Sequence, residues 1–411
     1  MLRSEIEPVT SIRLLNPERS RKLIFTILHQ LSDVGLTLSE QDGDTHFFGD
    51  KQARLQANLT VINPHFYKRL LTDGSIGAGE AYIDGWWDSP DLTNVVRILA
   101  RNLATLDKIE AKVSWITRLV KQLSHFSRRN NIQNAKDNIS AHYDLGNDLY
   151  RHFLDDKMLY SAGMYLSDSD TLAQAQINKM ARLCEQLQLK EHDHLLEIGT
   201  GWGGMAIYAA QHYGCHVTTT TISEQQYLLA QESVKQAGLE DKITLLLEDY
   251  RDLDGQYDKL VSIEMIEAVG KQYLSTYIKK CQSLLKPNGL LAIQAITIAD
   301  QRYESYSKDV DFIQKHIFPG GFLPSISLLQ SQLTAYSDFV TRDIKDIGLD
   351  YAKTLADWHV AFNRNSEALT QYGYDERFMR MWRYYFCYCE GGFLERSIST
   401  IQLLASRPQW R

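Results

Sequence analysis

Cysteines are few in this 411-residue chain, long apolar runs are missing and there is no net positive charge, and each lack excludes something. The five cysteines (Cys184, Cys215, Cys281, Cys387, Cys389) stand at irregular spacing, which suits neither a disulfide framework nor a set of metal ligands. They read as small buried hydrophobes, and no metal site is expected. No uninterrupted apolar run reaches the roughly 18 residues that span a bilayer. The opening Met1-Leu2-Arg3-Ser4-Glu5-Ile6-Glu7 holds no apolar core of signal-peptide length, so the expected location is cytoplasmic. A net charge of −7 argues against a nucleic-acid partner for the chain as a whole. The apolar fraction of 44% and charged fraction of 23% are those of an ordinary globular protein, and the length leaves room for two or three domains at roughly 100–200 residues each. No internal repeat is visible.

What the chain does have is concentrated in Leu195-Leu196-Glu197-Ile198-Gly199-Thr200-Gly201-Trp202-Gly203-Gly204. This reads as a buried strand ending in a carboxylate, then a glycine-rich turn, then a helix of small and apolar residues. Glycines at such a turn remove the Cβ atoms that would hold a cofactor away from backbone N–H groups. The string also satisfies G-x-G-x-x-G, the dinucleotide fingerprint, but a dinucleotide site usually carries an acid about 20 residues further on for the ribose. Here the next strand ends in Thr218-Thr219-Thr220-Thr221 without an acid, and Glu197 stands two residues before the first glycine. A carboxylate at the strand tip suits a cofactor with a cationic amino-acid tail, which is S-adenosylmethionine rather than NAD.

From about His192 onward, strands alternate with helices. Strands are expected at 194–198, 216–221, 243–247, 259–263 and 290–298, with helices at 204–212, 223–236 and 272–285. That alternation predicts right-handed βαβ units and a doubly wound, mostly parallel Rossmann-like sheet. The ligand would sit beyond the carboxyl ends of the strands, where Glu197, Thr221, Glu248 and Glu264 or Glu267 converge. The pattern breaks after Ile298, predicting a helical cover insertion over about 299–390, and the run from Ser397 to Leu404 is a candidate edge strand. Residues 1–130 read as a mainly helical domain, with turns at Asn63-Pro64 and Gly74–Gly79; residues 131–411 form the α/β domain. The aromatic stretch Gly79–Trp87 reads as a core corner.

One local excess of positive charge stands out. Between Lys108 and Lys136 lie Lys108, Lys112, Arg118, Lys121, Arg128, Arg129 and Lys136 against the single acid Glu110, with Trp115, Ile116, Leu119, Leu123 and Phe126 at helical spacing. A basic amphipathic helix of this kind fits an anionic membrane surface; a solvated inter-domain helix packed on its apolar stripe is the alternative.

Several strings together resemble the cyclopropane-fatty-acid synthases. They are His142-Tyr143-Asp144-Leu145-Gly146-Asn147-Asp148-Leu149-Tyr150, Met158-Leu159-Tyr160-Ser161, the glycine turn, Thr221-Ile222-Ser223 with Gln226, Asp249-Tyr250-Arg251-Asp252-Leu253, Met265-Ile266-Glu267-Ala268-Val269-Gly270 and Ile317-Phe318-Pro319-Gly320-Gly321. The resemblance covers residue 60 or so to the C-terminus. It implies methyl transfer from S-adenosylmethionine to a cis double bond of an unsaturated phospholipid acyl chain. A proton is then removed so that a cyclopropane ring closes, and the base implied is a bound bicarbonate held near a glutamate, a histidine and a tyrosine. It further implies a peripheral enzyme at the inner membrane surface, an N-terminal domain that recruits lipid, and room for a homodimer.

Carried onto this sequence, the glutamate is Glu267 and the tyrosine Tyr351. The histidine position holds Gln294, a cysteine position next to the Tyr-Ser pair holds Ala162, and Ile296 offers its backbone to the anion. A glutamine can donate a hydrogen bond but cannot ionise, so a methylene- or methyl-branched product is the alternative outcome, and a lipid- or cofactor-binding protein with a degenerate site is the non-enzymatic one. Tyr160 and Ser161 fall on the cofactor's methionine tail beside Gly199 and Gly201. Thr221, Ile222 and Gln226 fall near ribose and adenine, and Leu247 and Glu248 along the adenine. Glu264 is expected to be a neighbour of the cofactor or a helix N-terminal acid. Replacing Arg118, Lys121, Arg128 and Arg129 with Gln should weaken binding to anionic vesicles, with the difference shrinking in salt; unchanged vesicle binding would refute that role.

Overall fold

The computed structural model describes residues 16–102 and 146–411. The basic segment 108–136, the stretch His142–Leu145 and the expected boundary at residue 130 lie outside them. No helix among the described residues is long and apolar enough to cross a membrane.

Residues 16–102 form α1 (Pro17–Leu28), β1 (Gly35–Glu40), β2 (Thr45–Gly49), β3 (Gln56–Val61), α2 (His65–Ile83), β4 (Trp87–Asp88) and α3 (Leu92–Arg101). Asn16 caps α1 by accepting from the Arg19 N–H at 2.9 Å, and Pro17 takes the first helical position, where its missing N–H has no partner to lose. The three helices agree with the helical reading. The four-stranded sheet, in order β2-β1-β3-β4, is an addition to it. Its strands are short, and only β3 shows full alternation, with Ala57, Leu59 and Val61 inward. The turn expected over Gly74–Gly79 is instead part of α2, and only Gly74 leaves helical geometry (φ 56, ψ −134), kinking the helix there.

After α4 (Asn147–Arg151) and α5 (Leu172–Gln186), the chain enters a seven-stranded sheet. β5 (His194–Ile198), β6 (His216–Thr221), β7 (Ile243–Leu247), β8 (Tyr257–Ile263) and β9 (Leu285–Ile298) run parallel. The helices α6 (Gly204–Tyr213), α7 (Glu224–Gln236), the short α8 (Ile266–Val269) and α9 (Leu274–Leu284) connect them. The chain winds outward from β5 to β7 and returns to β8 on the other side of β5, so a topological switch point lies between β5 and β8. The threonines of β6 suit a strand because they are β-branched, and their buried hydroxyls are partnered: Thr219 donates to Glu197 Oε2 at 2.6 Å, and Thr221 to Gln226 Oε1 at 2.9 Å.

Beyond β9, α10 (Asp300–Tyr306), α11 (Phe312–His316) and α12 (Ile326–Tyr336) precede β10 (Val340–Asp346). The cover region of 299–390 is therefore interrupted by a strand of the main sheet. Then come α13 (Gly348–Arg364), α14 (Ser366–Gln371), α15 (Glu376–Leu394) and β11 (Ile398–Ser406). The expected terminal strand is present but is not an edge: β11 lies between β9 and β10, antiparallel to both. β10 takes the edge, and its largely exposed VTRDIKD has too little apolar periodicity to announce a strand.

The N-terminal helices share one core with the C-terminal ones, where Ile24, Tyr67 and Trp87 cluster with Tyr150, Phe153, Trp358 and Trp382. Arg380 of α15 ties the two regions. It donates to the carbonyls of Tyr82 and Trp87 at 2.6 and 2.9 Å, pairs with Asp88 at 3.0 Å, and lies 3.9 Å from the Tyr82 ring centroid. Hydrogen bonds from a charged donor are the stronger kind. Arg380→Ala should lower stability in urea unfolding by about 2 kcal/mol; a loss under about 0.5 kcal/mol, the range of ordinary surface changes, would show that this contact does not hold the regions together.

Candidate functional site

The glycine turn follows β5 at the switch point. Gly199 and Gly201 have φ of 101 and 53, the left-handed region that favours residues without Cβ. The turn is anchored to β6 by Gly199 N–H and Thr200 N–H, both donating to the Thr220 carbonyl at 3.1 and 3.0 Å. A Cβ placed on Gly201 would meet nothing within 4 Å; it would point into open space. That space is a cavity of about 860 Å³, at the upper end of the roughly 300–1,000 Å³ typical of ligand sites.

Tyr160, Ser161, Glu197, Gly199, Gly201, Thr221, Ile222, Gln226 and Glu248 all line this cavity. Leu247 does not: it ends the edge strand β7 and is 47% exposed, next to the lining residue Glu248. Ser223 caps α7, its hydroxyl accepting from the Gln226 N–H at 3.3 Å, while Thr221 accepts from the Ser223 N–H at 3.1 Å. Two polar side chains therefore face the cavity where an acid would stand in a dinucleotide site. Burial pushes Glu197 up to about 8, opposed by the Thr219 hydroxyl and the charge of Lys179. The glycine cradle and this carboxylate fit S-adenosylmethionine, whose α-ammonium would favour the ionised form of Glu197.

Lys179 has no place in the sequence reading. It is fully buried on α5, donates to Ser161 Oγ at 2.7 Å, and feels Glu264, Asp155 and Glu197; burial pulls it down to about 8. A lone lysine four residues from both Ala175 and Leu183, on the apolar face of an amphipathic helix, was the signal available for it.

The largest departure concerns the anion site. Ala162, Gln294 and Tyr351 do come together, but around Glu264. Its Oε1 accepts from the Ala162 N–H and from Gln294 Nε2, each at 2.9 Å, and its Oε2 accepts from the Tyr351 hydroxyl at 2.9 Å. Ile296 N–H donates to Glu267 Oε1, so that backbone donor is also taken by a carboxylate of the chain. Glu264, Glu267, Ile296 and Tyr351 line the cavity, whereas Ala162 and Gln294 are fully buried behind Glu264. Glu264, expected as a neighbour of the cofactor or a helix N-terminal acid, lines the same cavity as the glycine turn and also gathers these three donors.

The orientation of Gln294 follows from elementary bonding. Arg182 can only donate, and its Nε donates to Gln402 Oε1 at 3.0 Å. That turns the Gln402 amide N–H toward Gln294 Oε1, at 3.0 Å. Gln294 must then present its own N–H groups to Glu264 and to the Ala162 carbonyl, at 2.9 and 3.2 Å. Gln402 and Gln294 are register partners on β11 and β9. The sequence reading missed both Gln402 and Arg182; a buried amide in an apolar strand was the available hint.

Burial is the main cause of a raised pKa at both acids. Three donors and Lys179 oppose it at Glu264, whereas Glu267, opposed only by backbone N–H groups, is pushed to about 8 by burial and by the charge of Glu264. Of the two, Glu264 is the one whose surroundings favour the ionised carboxylate, with three donors against the single backbone N–H at Glu267. Glu267 Oε2 has no hydrogen-bond partner among the described residues. A bicarbonate does not fit this arrangement, because its donors from Ala162, Gln294, Tyr351 and Ile296 are already engaged.

The family described as mycolic acid cyclopropane synthetase matches residues 130–403. The tuberculostearic acid methyltransferase UfaA1 of Mycobacterium tuberculosis is 38% identical over 336 residues, covering 79% of this chain and 77% of that protein. The cyclopropane-fatty-acyl-phospholipid synthase of Escherichia coli K12 is 38% identical over 366 residues, covering 85% and 88%. The solved structure of mycolic acid cyclopropane synthase CmaA1 complexed with SAH and CTAB has a TM-score of 0.62 and 28% identity over 66% of this chain and 98% of that one.

Substitution at the turn tests the cofactor assignment. Gly201→Val adds a side chain that points into the cavity, at a φ costing about 1–3 kcal/mol. It should weaken S-adenosylmethionine binding at least about tenfold, equivalent to 1.4 kcal/mol, in a protein that still unfolds cooperatively. Undiminished affinity in calorimetry would remove the turn from the cofactor site.

Proposed function

This chain belongs to the mycolic acid cyclopropane synthetase family, and on that premise we propose that it transfers a methyl group from S-adenosylmethionine to the cis double bond of an unsaturated phospholipid acyl chain and closes a cyclopropane ring. It is an S-adenosylmethionine-dependent methyltransferase. The observation that carries the acceptor is the lining of the cavity. The glycine turn and the two glutamates share one space with Ile24, Leu28, Leu70, Leu71 and Leu99 of the three N-terminal helices. An apolar extension of this kind suits a hydrocarbon chain, because it offers burial without unmet polar groups.

An alkene is a weak nucleophile with no proton to lose beforehand, so alignment is the main contribution the protein can make. The cofactor supplies an electrophilic methyl on a sulfonium. Methyl transfer leaves a cation on the acyl chain, and aromatic faces stabilise such charge by about 0.5–2 kcal/mol each. Tyr160, Phe318, Tyr351 and Tyr385 line the cavity. Tyr160 is fixed by its hydroxyl on Tyr385 at 2.9 Å and by Trp358, with ring centroids 5.2 Å apart. Tyr351 stacks on Phe393 at 4.7 Å. A carboxylate beside this aromatic wall is suited to take the proton that ring closure releases.

In the same reading, residues 1–130 recruit lipid, and the basic segment 108–136 rests on the anionic inner surface of the membrane, making the enzyme a peripheral one. A bicarbonate is not required, since the chain supplies carboxylates of its own. A methyl- or methylene-branched product is the second reading, favoured by the 38% identity to a tuberculostearic acid methyltransferase.

Incubating the full-length protein with S-adenosylmethionine and vesicles of cis-unsaturated phospholipid should yield acyl chains heavier by one CH₂, with ring protons in the NMR spectrum. An added CH₂ with no ring would sink cyclopropanation in favour of the branched product.

A further inference from the structure

The geometry points to Glu264 as the built-in proton acceptor of this enzyme, its carboxylate standing on the donors that an external anion would otherwise use. This rests on the methyl transfer to an alkene proposed above, and names the group that completes it.

Four observations carry the assignment. First, the Glu264 carboxylate gathers the Ala162 N–H, the Gln294 amide and the Tyr351 hydroxyl, all at 2.9 Å, and it lines the cavity itself. Such a cluster of donors holds an ionised carboxylate in one orientation. Second, the backbone at Glu264 has φ +49, a conformation that a residue with a side chain adopts only when its surroundings over-determine it. Both ends of the residue are held there, the side chain by the three hydrogen bonds and the backbone N–H by donating to the Gln294 carbonyl at 2.8 Å. Third, the other members of the cluster are poor acceptors. Gln294 cannot ionise, and its orientation is locked by Gln402 and Arg182. Burial and the charge of Glu264 keep the Tyr351 hydroxyl protonated. Fourth, Glu267 lacks such a cluster: one oxygen accepts from the Ile296 N–H and the other has no partner among the described residues, and burial with the charge of Glu264 pushes it up to about 8.

The step balances. The alkene π pair forms the new C–CH₃ bond, and the S–CH₃ bond breaks with its electrons going to sulfur, which becomes a neutral thioether. The cation so formed lies next to the methylated carbon. Glu264 removes a proton from the new methyl group, and the C–H electron pair closes the third side of the ring. The acid form of Glu264 returns its proton to water as products exchange. Ala162, Gln294, Gln402 and Arg182 never touch the substrate; they are positioning residues. The same base serves the branched outcome, where the proton is lost without ring closure.

The test uses the full-length enzyme with S-adenosylmethionine and unsaturated phospholipid vesicles, in buffer stripped of CO₂. Adding bicarbonate should change the parent rate by less than about twofold, because no transition-state contact is gained. In Glu264→Gly, the substitution suits the positive φ and leaves the three donors free. Its rate in stripped buffer should fall by about 100-fold or more, the usual worth of a positioned base, with S-adenosylmethionine affinity retained, and should recover in part with bicarbonate or formate. Binding of ¹³C-bicarbonate, followed by NMR, should appear in Glu264→Gly and be absent in the parent. A parent rate that rises saturably with bicarbonate, bicarbonate binding to the parent, or a Glu264→Gly variant running at the parent rate in stripped buffer would each overturn the assignment. An inactive parent would contradict the proposed function instead, and the binding measurement would still decide this inference.

Discussion

A carboxylate at the end of β8 has to be satisfied inside the protein, and much of the site is arranged around that requirement. Glu264 lies one residue past the strand, in a left-handed backbone conformation, where an ionised acid is tolerated only if donors converge on it. The donors come from separate parts of the chain. Ala162 lies in the loop between α4 and α5, Gln294 on β9 and Tyr351 on the first turn of α13. Their convergence depends on the register of β9 against β11, which sets Gln294 opposite Gln402, and on Arg182 reaching Gln402 from α5. A one-residue slip of β11 would turn Gln402 to the opposite face and leave Gln294 free to present its carbonyl to the carboxylate.

The same region buries several ionisable groups around one cation. Lys179 is the shared counter-charge of Asp155, Glu197 and Glu264, and its ammonium is tied to Ser161 beside the cofactor turn. The cofactor carboxylate and the proposed base are thus linked through one cation on one helix. A cofactor bringing its own positive charge adds to a site already poised between protonated and ionised acids. Aromatic rings of Tyr160, Phe318, Tyr351 and Tyr385 line the same cavity, where their faces can stabilise a cation without taking its proton.

Much of the α/β part was legible in the sequence because its signals are local. The strand-turn-helix around Gly199 and Gly201 and the alternation from His194 to Ile298 each follow from short-range patterning, and Glu197 with the β6 threonines separated one cofactor class from another. The N-terminal sheet and β10 were not legible: the former has short strands with little alternation, and the latter is an exposed edge held by pairing to β11 rather than by an apolar face. The role of Glu264 was hidden for a different reason. Its partners are 102, 30 and 87 residues away in sequence, and two of them, Ala162 and Gln294, looked like losses of function when read singly. Read together in space, the alanine gives a backbone N–H, the glutamine gives an oriented amide, and the carboxylate that uses both comes from the chain.

The most direct measurement is a crystal structure of the protein with S-adenosylhomocysteine, grown with bicarbonate present. The account predicts continuous side-chain density from Glu264 to the Ala162 N–H, the Gln294 amide and the Tyr351 hydroxyl, with no separate anion among them. A discrete planar anion on those three donors, with the Glu264 side chain turned away, would contradict it.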